Sequence, residues 1–236
     1  MKDLKLLLEK HMPGALTALR TVRSHARNLV VRPEQVFSRI YSENGWANTQ
    51  SRSGPGSAPA ATKSLRASLP ALFRRLGVRT LVDAPCGDFW LRDLEYELDR
   101  YLGVDVVKEL VAENRRLYGA PGREFRNLNL IDDALPSMDV VLCRDLLIHL
   151  SYEHGKRVLE NFRRSGSTWL LCSQYPDVPN THDIKTGGYR AINLLRPPFG
   201  LPAPHTELAD DPPSDVSPDE APRRTMALWR LAELHL

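Results

Sequence analysis

Two aspartates, Asp83 and Asp105, are the first residues whose spacing suggests chemistry. Asp83 opens DAPCGDFW, in which Gly87 allows a tight turn close to a ligand. The N–H groups of such a strand-to-helix loop attract an anionic group. Asp105 follows 22 residues later at the end of another apolar run, where a carboxylate can accept both hydroxyls of a ribose. Because no GxGxxG phosphate signature is present, the pattern favours a nucleoside without a pyrophosphate.

A second group of candidates lies in CRDLLIHLS, after a further apolar run. His149 is a candidate general base, since a neutral imidazole within roughly 2.6 to 3.2 Å of a hydroxyl can take its proton. Asp145 is the second catalytic candidate, because a carboxylate can hold the histidine tautomer. Two structural alternatives stay open: a histidine that hydrogen-bonds the backbone, and a salt bridge between Asp145 and Arg144.

Residues 174–194, QYPDVPNTHDIKTGGYRAINL, form a segment too long and too polar for a routine connection. It offers an aromatic platform, donors and acceptors suited to a carbohydrate or another polyol. The candidate substrate-binding residues are Tyr175, Asp183, Tyr189, Arg190 and Asn193. The same side chains could instead tie the loop down. Asp183, His182 and Asp145 also offer an alternative Mg²⁺ site that would acidify a hydroxyl, although the prediction assigns no metal ligand.

Short apolar runs alternate with helical patterns and must position these residues. Strands are predicted at TLVDA, Tyr101–Val107, Glu124–Leu130, Met138–Arg144, Thr168–Gln174, HTELAD and within Arg224–Leu234, with helices at Leu65–Leu76, VKELVAENRRLYG and SYEHGKRVLENFRRSG. The alternation predicts an α/β fold with a mostly parallel, doubly wound sheet, its first five strands ordered three-two-one-four-five. Ligands of such sheets bind outside the carboxyl ends of the strands, where the candidate residues fall.

Composition excludes several classes of protein. With 236 residues, 42% of them hydrophobic and 26% charged, the chain is neither fibrous nor wholly disordered. No apolar stretch approaches the roughly 18 residues that cross a bilayer. Three cysteines cannot form a disulfide framework and favour a reducing compartment, so a cytoplasmic location is expected. The net charge of +3 forms no nucleic-acid-binding stripe in the main body.

The first 62 residues differ from the remainder. Residues 1–40 carry a net charge of +5 and leucines at helical spacing, which predicts an amphipathic arm that covers the domain or forms a homodimer. Residues 45–62 are rich in Gly, Ser, Pro and Thr, which is typical of a flexible linker, but the segment could also fold over a ligand. The predicted organisation is an arm and lid over 1–62 and an α/β domain over 63–236.

Several segments together resemble the class I methyltransferases. DAPCGDF is similar to their first motif, NLNLIDDALP to their adenine-edge loop and DVVLCRDLLIHL to their fourth strand and the residues after it. More closely, WANTQSRSGPGS, DAPCGDFW, LCRDLLIHLS, DIKTGGYRAINLLRPPFGLP and MALWRL resemble a bacterial group associated with sugar and surface-polysaccharide modification. The first resemblance covers Asp83 to about Gln174, and the closer one covers nearly the whole chain after Tyr41.

The resemblance implies a Rossmann-like fold that binds S-adenosylmethionine. By position, Asp83 and Gly87 would frame the methionine end, Asp105 the ribose, and Asn129 with Leu130 the adenine. The further cofactor contacts predicted are Ser53, Gly54, Pro85, Asp88, Val106 and Arg144. Asn129 stands where many relatives have an acid, so an amide oxygen would meet the adenine amino group.

The predicted function is S-adenosylmethionine-dependent O-methylation of a hydroxyl on a sugar or glycan. The alternatives are N-methylation of a small amine and a non-catalytic cofactor-binding partner protein. A nicotinamide-dependent dehydrogenase would share the strand pattern and the ribose carboxylate but would need the phosphate loop that the sequence lacks.

Overall fold

A seven-stranded β-sheet lies at the centre of the computed structural model, which describes residues 32–217 and 219–236. The helices and strands in chain order are α1 (Pro33–Ser42), α2 (Pro59–Leu76), β1 (Thr80–Asp83), β2 (Arg100–Asp105), α3 (Lys108–Tyr118), β3 (Arg123–Asn127), β4 (Val140–Cys143), α4 (Tyr152–Arg164), β5 (Trp169–Gln174), β6 (Thr206–Ala209) and β7 (Thr225–Arg230). Short 3-10 helices occur at Pro55–Ser57, Trp90–Asp93, Leu147–His149 and Leu231–Glu233.

The strands are ordered β3-β2-β1-β4-β5-β7-β6. The four strand pairs formed among the first five strands are all parallel. Strand β7 runs antiparallel to both β5 and β6. This arrangement confirms the predicted α/β class, the mostly parallel sheet and the order of the first five strands. The carboxyl ends of β1, β2 and β4 therefore meet at one edge of the sheet.

Helices cover both faces of the sheet, and the strands are accordingly apolar on both sides. Leu81 faces the core formed with α2 and α3, whereas Val82 faces the core formed with α4. The same alternation separates Leu170 from Leu171 on β5. Because successive side chains of a strand point to opposite faces, both cores depend on continuous apolar runs such as TLV and WLLC.

Helix boundaries follow local signals with one difference from the prediction. Gly77 ends α2 in a left-handed conformation with φ 66°, and the Ser151 hydroxyl caps α4 by accepting from the His154 N–H. Helix α2 begins at Pro59, six residues before the predicted start at Leu65. Proline is favoured in the first turn of a helix, where its missing N–H has no intrahelical partner.

The segment 45–57, called the lid from here on, folds over the carboxyl edge of the sheet through bonds to Asp88 and Arg144. Residues 59–62 belong to α2, which crosses the predicted boundary between 62 and 63; that division of the chain stays a prediction. The basic arm up to residue 31, with its expected homodimer contact, lies outside the described residues. None of the described helices is long and apolar enough to span a bilayer.

Candidate active site

A cavity of about 480 Å³ opens at the carboxyl ends of β1, β2 and β4. The sheet contributes the loop after β1, the end of β2 and the loop after β4, while the lid and α1 cover them. Lining residues include Pro33, Phe37, Trp46, Ser53, Gly54, Pro85, Gly87, Asp105, Val106, Asn129, Leu130, Arg144, Asp145, His149, Tyr175, Tyr189 and Arg224. Most of the predicted cofactor residues are thus brought together.

Asp105 occupies the middle of this cavity at the end of β2. One carboxylate oxygen accepts from the Val107 N–H at 3.0 Å and the other from the Gly87 N–H at 3.2 Å. These two bonds fix the carboxylate beside the loop after β1. Burial raises the pKa of the Asp105 carboxyl to about 6, although the backbone N–H groups favour the ionised form. At neutral pH the group is an anion with lone pairs left for other donors.

The lid packs directly on the loop after β1. The Ser53 hydroxyl accepts from the Asp88 N–H at 2.9 Å, and the Ser51 hydroxyl donates to an Asp88 carboxylate oxygen at 3.1 Å. Gly87 has φ 50°, and a Cβ atom there would lie 2.5 Å from the Ser53 hydroxyl oxygen. Only glycine therefore permits this close approach. Ser53 and Gly54 line the cavity as a consequence.

Asp83 lies deeper than the residues around the cavity. It is in register with Gly103 of β2, two residues before Asp105. Asp105 therefore lies two residues nearer to the carboxyl edge of the sheet than Asp83 does. The Asp83 side chain is buried and accepts from the Tyr101 hydroxyl at 2.8 Å. Burial raises the pKa of Asp83 to about 8, which leaves it protonated at neutral pH. Asp83 thus supports the loop from below, and its direct cofactor contact stays a prediction.

Asn129 and Leu130 follow β3 and line the end of the cavity next to α1. The Asn129 amide oxygen accepts from the Ile131 N–H at 3.0 Å, which closes the turn after the strand. Pro33 and Phe37 of α1 line the same end. The predicted adenine residues therefore lie at an apolar end of the cavity that the N-terminal helix covers.

Arg144 and Asp145 belong to a buried cluster with Arg224 and Asp210. The Asp145 Oδ2 accepts from Arg224 at 2.8 Å and lies 3.3 Å from Arg144. Asp210 lies 3.0 Å from both arginines. Arg144 also donates to the Gly56 carbonyl at 2.7 Å, which ties the lid to the loop after β4. The cluster contains two cations and two carboxylates, so its charges balance.

Asp145 is held in an unusual conformation. Its φ is 56°, and its N–H donates to the Ser173 hydroxyl at 2.9 Å. Burial opposes ionisation, but Arg224 and Arg144 outweigh it and hold the pKa of Asp145 below its ordinary value. The second carboxylate oxygen, Oδ1, is buried without a hydrogen-bond partner in the described part of the chain. Asp145 is therefore an ionised acceptor at the cavity wall and a poor base.

His149 presents one nitrogen as a base. Its Nδ1 lies 2.8 Å from the Gly188 carbonyl oxygen, which can only accept, so Nδ1 carries the proton and Nε2 keeps its lone pair. Burial lowers the pKa of His149, although the Gly188 carbonyl and Asp145 act in the opposite direction. The imidazole is thus neutral at pH 7. The Trp46 ring of the lid packs on it with centroids 4.3 Å apart.

The five predicted substrate residues separate into two groups. Tyr175 and Tyr189 line the cavity, and Tyr189 is 56% exposed at its rim. Asp183, Arg190 and Asn193 instead bond to backbone groups that hold the polar segment in place. Asp183 accepts from the Tyr152 N–H, Arg190 donates to the Leu150 carbonyl, and Asn193 donates to the Pro176 carbonyl. Their part in substrate binding stays a prediction.

The alternative Mg²⁺ site has no geometric support in the described residues. No group of three or more His, Cys, Asp or Glu side chains there could hold a metal ion. Asp145 faces the cavity, whereas one Asp183 oxygen accepts from the backbone of Tyr152 and Ile184.

Sequence patterns missed the residues that reach the site from distant parts of the chain. Arg224 and Asp210 flank the proline-rich connector between β6 and β7, where composition indicates only a loose loop. Phe37 belongs to α1 and Trp46 to the lid, where composition alone indicates a flexible linker. One sequence signal could have indicated the cluster. Asp210 directly follows β6 and Arg224 directly precedes β7, so two opposite charges lie at the ends of neighbouring strands.

The strand order and the mostly parallel sheet are those of the Rossmann-like methyltransferase fold. Among solved structures, the magnesium protoporphyrin IX methyltransferase (ChlM) from Synechocystis PCC 6803 with bound SAM is 14% identical, with a TM-score of 0.55 over 84% of this chain and 97% of that one. The N-methyltransferase NodS from Bradyrhizobium japonicum WM9, in complex with S-adenosyl-L-homocysteine, is 13% identical, with a TM-score of 0.55 over 81% and 97%.

A SAM-dependent methyltransferase from Leishmania major is 12% identical, with a TM-score of 0.55 over 72% of this chain and 73% of that one. No family model and no curated protein matches the sequence. At these identities the likeness establishes the Rossmann-like methyltransferase fold of the chain and nothing about its acceptor.

Proposed function

We propose that this protein is an S-adenosylmethionine-dependent methyltransferase. The observation that carries the proposal is the Asp105 carboxylate, fixed at the end of β2 beside Gly87 inside the cavity. In an open α/β sheet this position serves the ribose of a nucleoside ligand. The cofactor would supply an electrophilic methyl group on a sulfonium sulfur. The sequence offers no phosphate loop, which disfavours a dinucleotide.

The residues present fit such a ligand. Asp105 can accept two ribose hydroxyls, and the apolar end with Phe37 and Leu130 suits a purine. The loop at Gly87 presents backbone to the cavity without a side chain, which suits the amino-acid end. The unpartnered Asp145 Oδ1 is an acceptor for an ammonium or hydroxyl group.

The geometry favours a hydroxyl acceptor that needs a general base. His149 Nε2 would take the proton of the acceptor hydroxyl as the methyl group passes from the sulfonium sulfur to the acceptor oxygen, and His149 would become an imidazolium. The ionised Asp145 stabilises that cation through space, since the two groups interact electrostatically. The lid excludes water and aligns the reacting atoms, which is the main demand of an in-line methyl transfer.

A sugar or glycan hydroxyl is the acceptor that the rim supports best. Tyr189 is an exposed ring at the entrance, and Trp46 and Tyr175 line the wall near it. Aromatic rings with polar edges suit the flat apolar faces of a sugar. N-methylation of a small amine is the second candidate, because the fold is similar to that of the N-methyltransferase NodS. An amine acceptor would depend little on His149.

A screen with methyl-labelled S-adenosylmethionine tests the proposal. Glycan and metabolite fractions are incubated with the protein, with and without EDTA, and His149→Gln is run beside the wild type. We expect label in a sugar fraction, unchanged by EDTA and lost with His149→Gln. Label in an amine that survives His149→Gln would replace O-methylation by N-methylation. Binding of the donor without label in any fraction would favour a non-catalytic partner protein.

A further inference from the structure

A hydrogen bond between residues far apart in the sequence joins helix α1 to the apolar end of the cavity, which is the end proposed for the purine. The Asn129 amide nitrogen donates to a Glu34 carboxylate oxygen at 2.7 Å, across 95 residues of sequence. Pro33 and Phe37, on either side of Glu34 in the chain, line the cavity together with Asn129. The bond therefore fixes both the covering helix and the side chain beneath it.

The partners of Asn129 determine which way its amide points. A carboxylate accepts only, so the group that faces Glu34 must be the nitrogen. Asp132 accepts from the same nitrogen at 3.3 Å, a longer contact. On the other side, the Ile131 N–H donates to the amide oxygen at 3.0 Å. The oxygen keeps one further lone pair, and both hydrogens of the nitrogen are engaged.

Such an amide offers an acceptor and no donor to a ligand. An adenine base presents an amino group at position six, which needs an acceptor. A hypoxanthine base presents a carbonyl oxygen there, which needs a donor. A site built to bind a donor rejects the analogue that lacks it, because a polar group is then left unpaired.

We propose that Glu34 is a specificity-determining positioning residue, which acts through Asn129 to select a 6-aminopurine nucleoside. The inference rests on the proposed S-adenosyl cofactor. Glu34 would act by orienting the amide and by holding α1 over the base.

The test is a calorimetric comparison of S-adenosylhomocysteine with S-inosylhomocysteine on the full chain. Wild type is expected to prefer the adenosyl compound. Glu34→Ala is expected to reduce the ratio of the two dissociation constants by about tenfold, since it removes a hydrogen bond to a charged group. Glu34→Gln keeps a carbonyl acceptor for the Asn129 nitrogen and should retain most of the preference.

Glu43→Ala, at an exposed position just beyond α1, is the matched control and should leave the ratio unchanged. A purely structural role of Glu34 would weaken both ligands equally, so an unchanged ratio in Glu34→Ala overturns the inference, as does an equal change in Glu43→Ala. If wild type binds S-adenosylhomocysteine and the ratio does not move, only this inference fails. If wild type binds neither compound, the proposed cofactor fails with it.

Discussion

Replacement of Asp105 by asparagine removes the negative charge from the cavity while nearly keeping the shape of the side chain. In the wild type each carboxylate oxygen already accepts one backbone N–H, from Val107 at 3.0 Å and from Gly87 at 3.2 Å. A carboxylate has about four lone-pair sites, so two remain for ribose hydroxyls. In Asp105→Asn the amide nitrogen must face one of the two N–H groups, and at least one hydroxyl contact is lost.

The expected loss follows from the charge of that contact. A hydrogen bond to a charged group contributes about 1.5 to 3 kcal/mol, so S-adenosylhomocysteine should bind Asp105→Asn about 10- to 150-fold more weakly. Isothermal titration calorimetry at pH 8 measures this directly. Asp219→Asn, an exposed position in the connector, is the matched control, and a thermal melt of each variant verifies folding.

The pH dependence gives a second measurement on the same residue. Burial raises the pKa of Asp105 to about 6, and only the ionised form accepts from two hydroxyls. Wild-type affinity should therefore be full well above pH 6, fall to about half at that value and decline below it by up to about tenfold per pH unit. Asp105→Asn should lack this fall. Equal affinity in wild type and variant, or a flat wild-type profile between pH 8 and 5, would refute the role of Asp105.

Three further predictions concern the base, the lid and the buried cluster. His149→Gln should lower the turnover of a hydroxyl acceptor by about 10²- to 10⁴-fold, with S-adenosylhomocysteine affinity unchanged, because the general base is lost. Burial lowers the pKa of His149, so the wild-type rate should fall only at a pH more acidic than for an ordinary imidazole, and the variant should lack this fall. Gly87→Ala should weaken the binding of S-adenosylhomocysteine by about tenfold or more, because the new Cβ would lie 2.5 Å from the Ser53 hydroxyl oxygen. Gly77→Ala is the control, since Gly77 has a similar positive φ with open space around it. Equal losses of binding in the two variants would exclude an effect through the lid. Arg224→Met should lower the free energy of unfolding by about 3 to 5 kcal/mol in urea titrations, because it leaves Asp145 and Asp210 with one buried cation; a loss under about 1 kcal/mol would contradict the charge balance.

The sequence predicted the sheet and the position of Asp105 because both depend on local patterns. Apolar runs that alternate with helical segments specify parallel strands, and the carboxyl ends of such strands converge whatever their side chains are. Asp83 carries the same signal as Asp105, an acid at the end of a strand. Its deeper position follows from the register of β1 on β2, which local sequence does not encode.

Contacts between residues far apart in the sequence could not be predicted from local sequence patterns. Asn129 meets Glu34 across 95 residues, and Arg144 meets Asp210 across 66. The composition of the lid indicates flexibility, yet its order depends on bonds from Ser53 and Gly56 to distant loops. Composition reports what a segment can do alone, whereas docking depends on the surface that the remainder of the chain offers.

A parallel calorimetric titration of the intact protein with S-adenosylmethionine and with NAD tests the central claim most directly. If Asp105 binds the ribose of a sulfonium nucleoside in a cavity without a phosphate loop, the protein should show one saturable site for S-adenosylmethionine and no heat of binding with NAD. Binding of NAD alone would contradict the assignment.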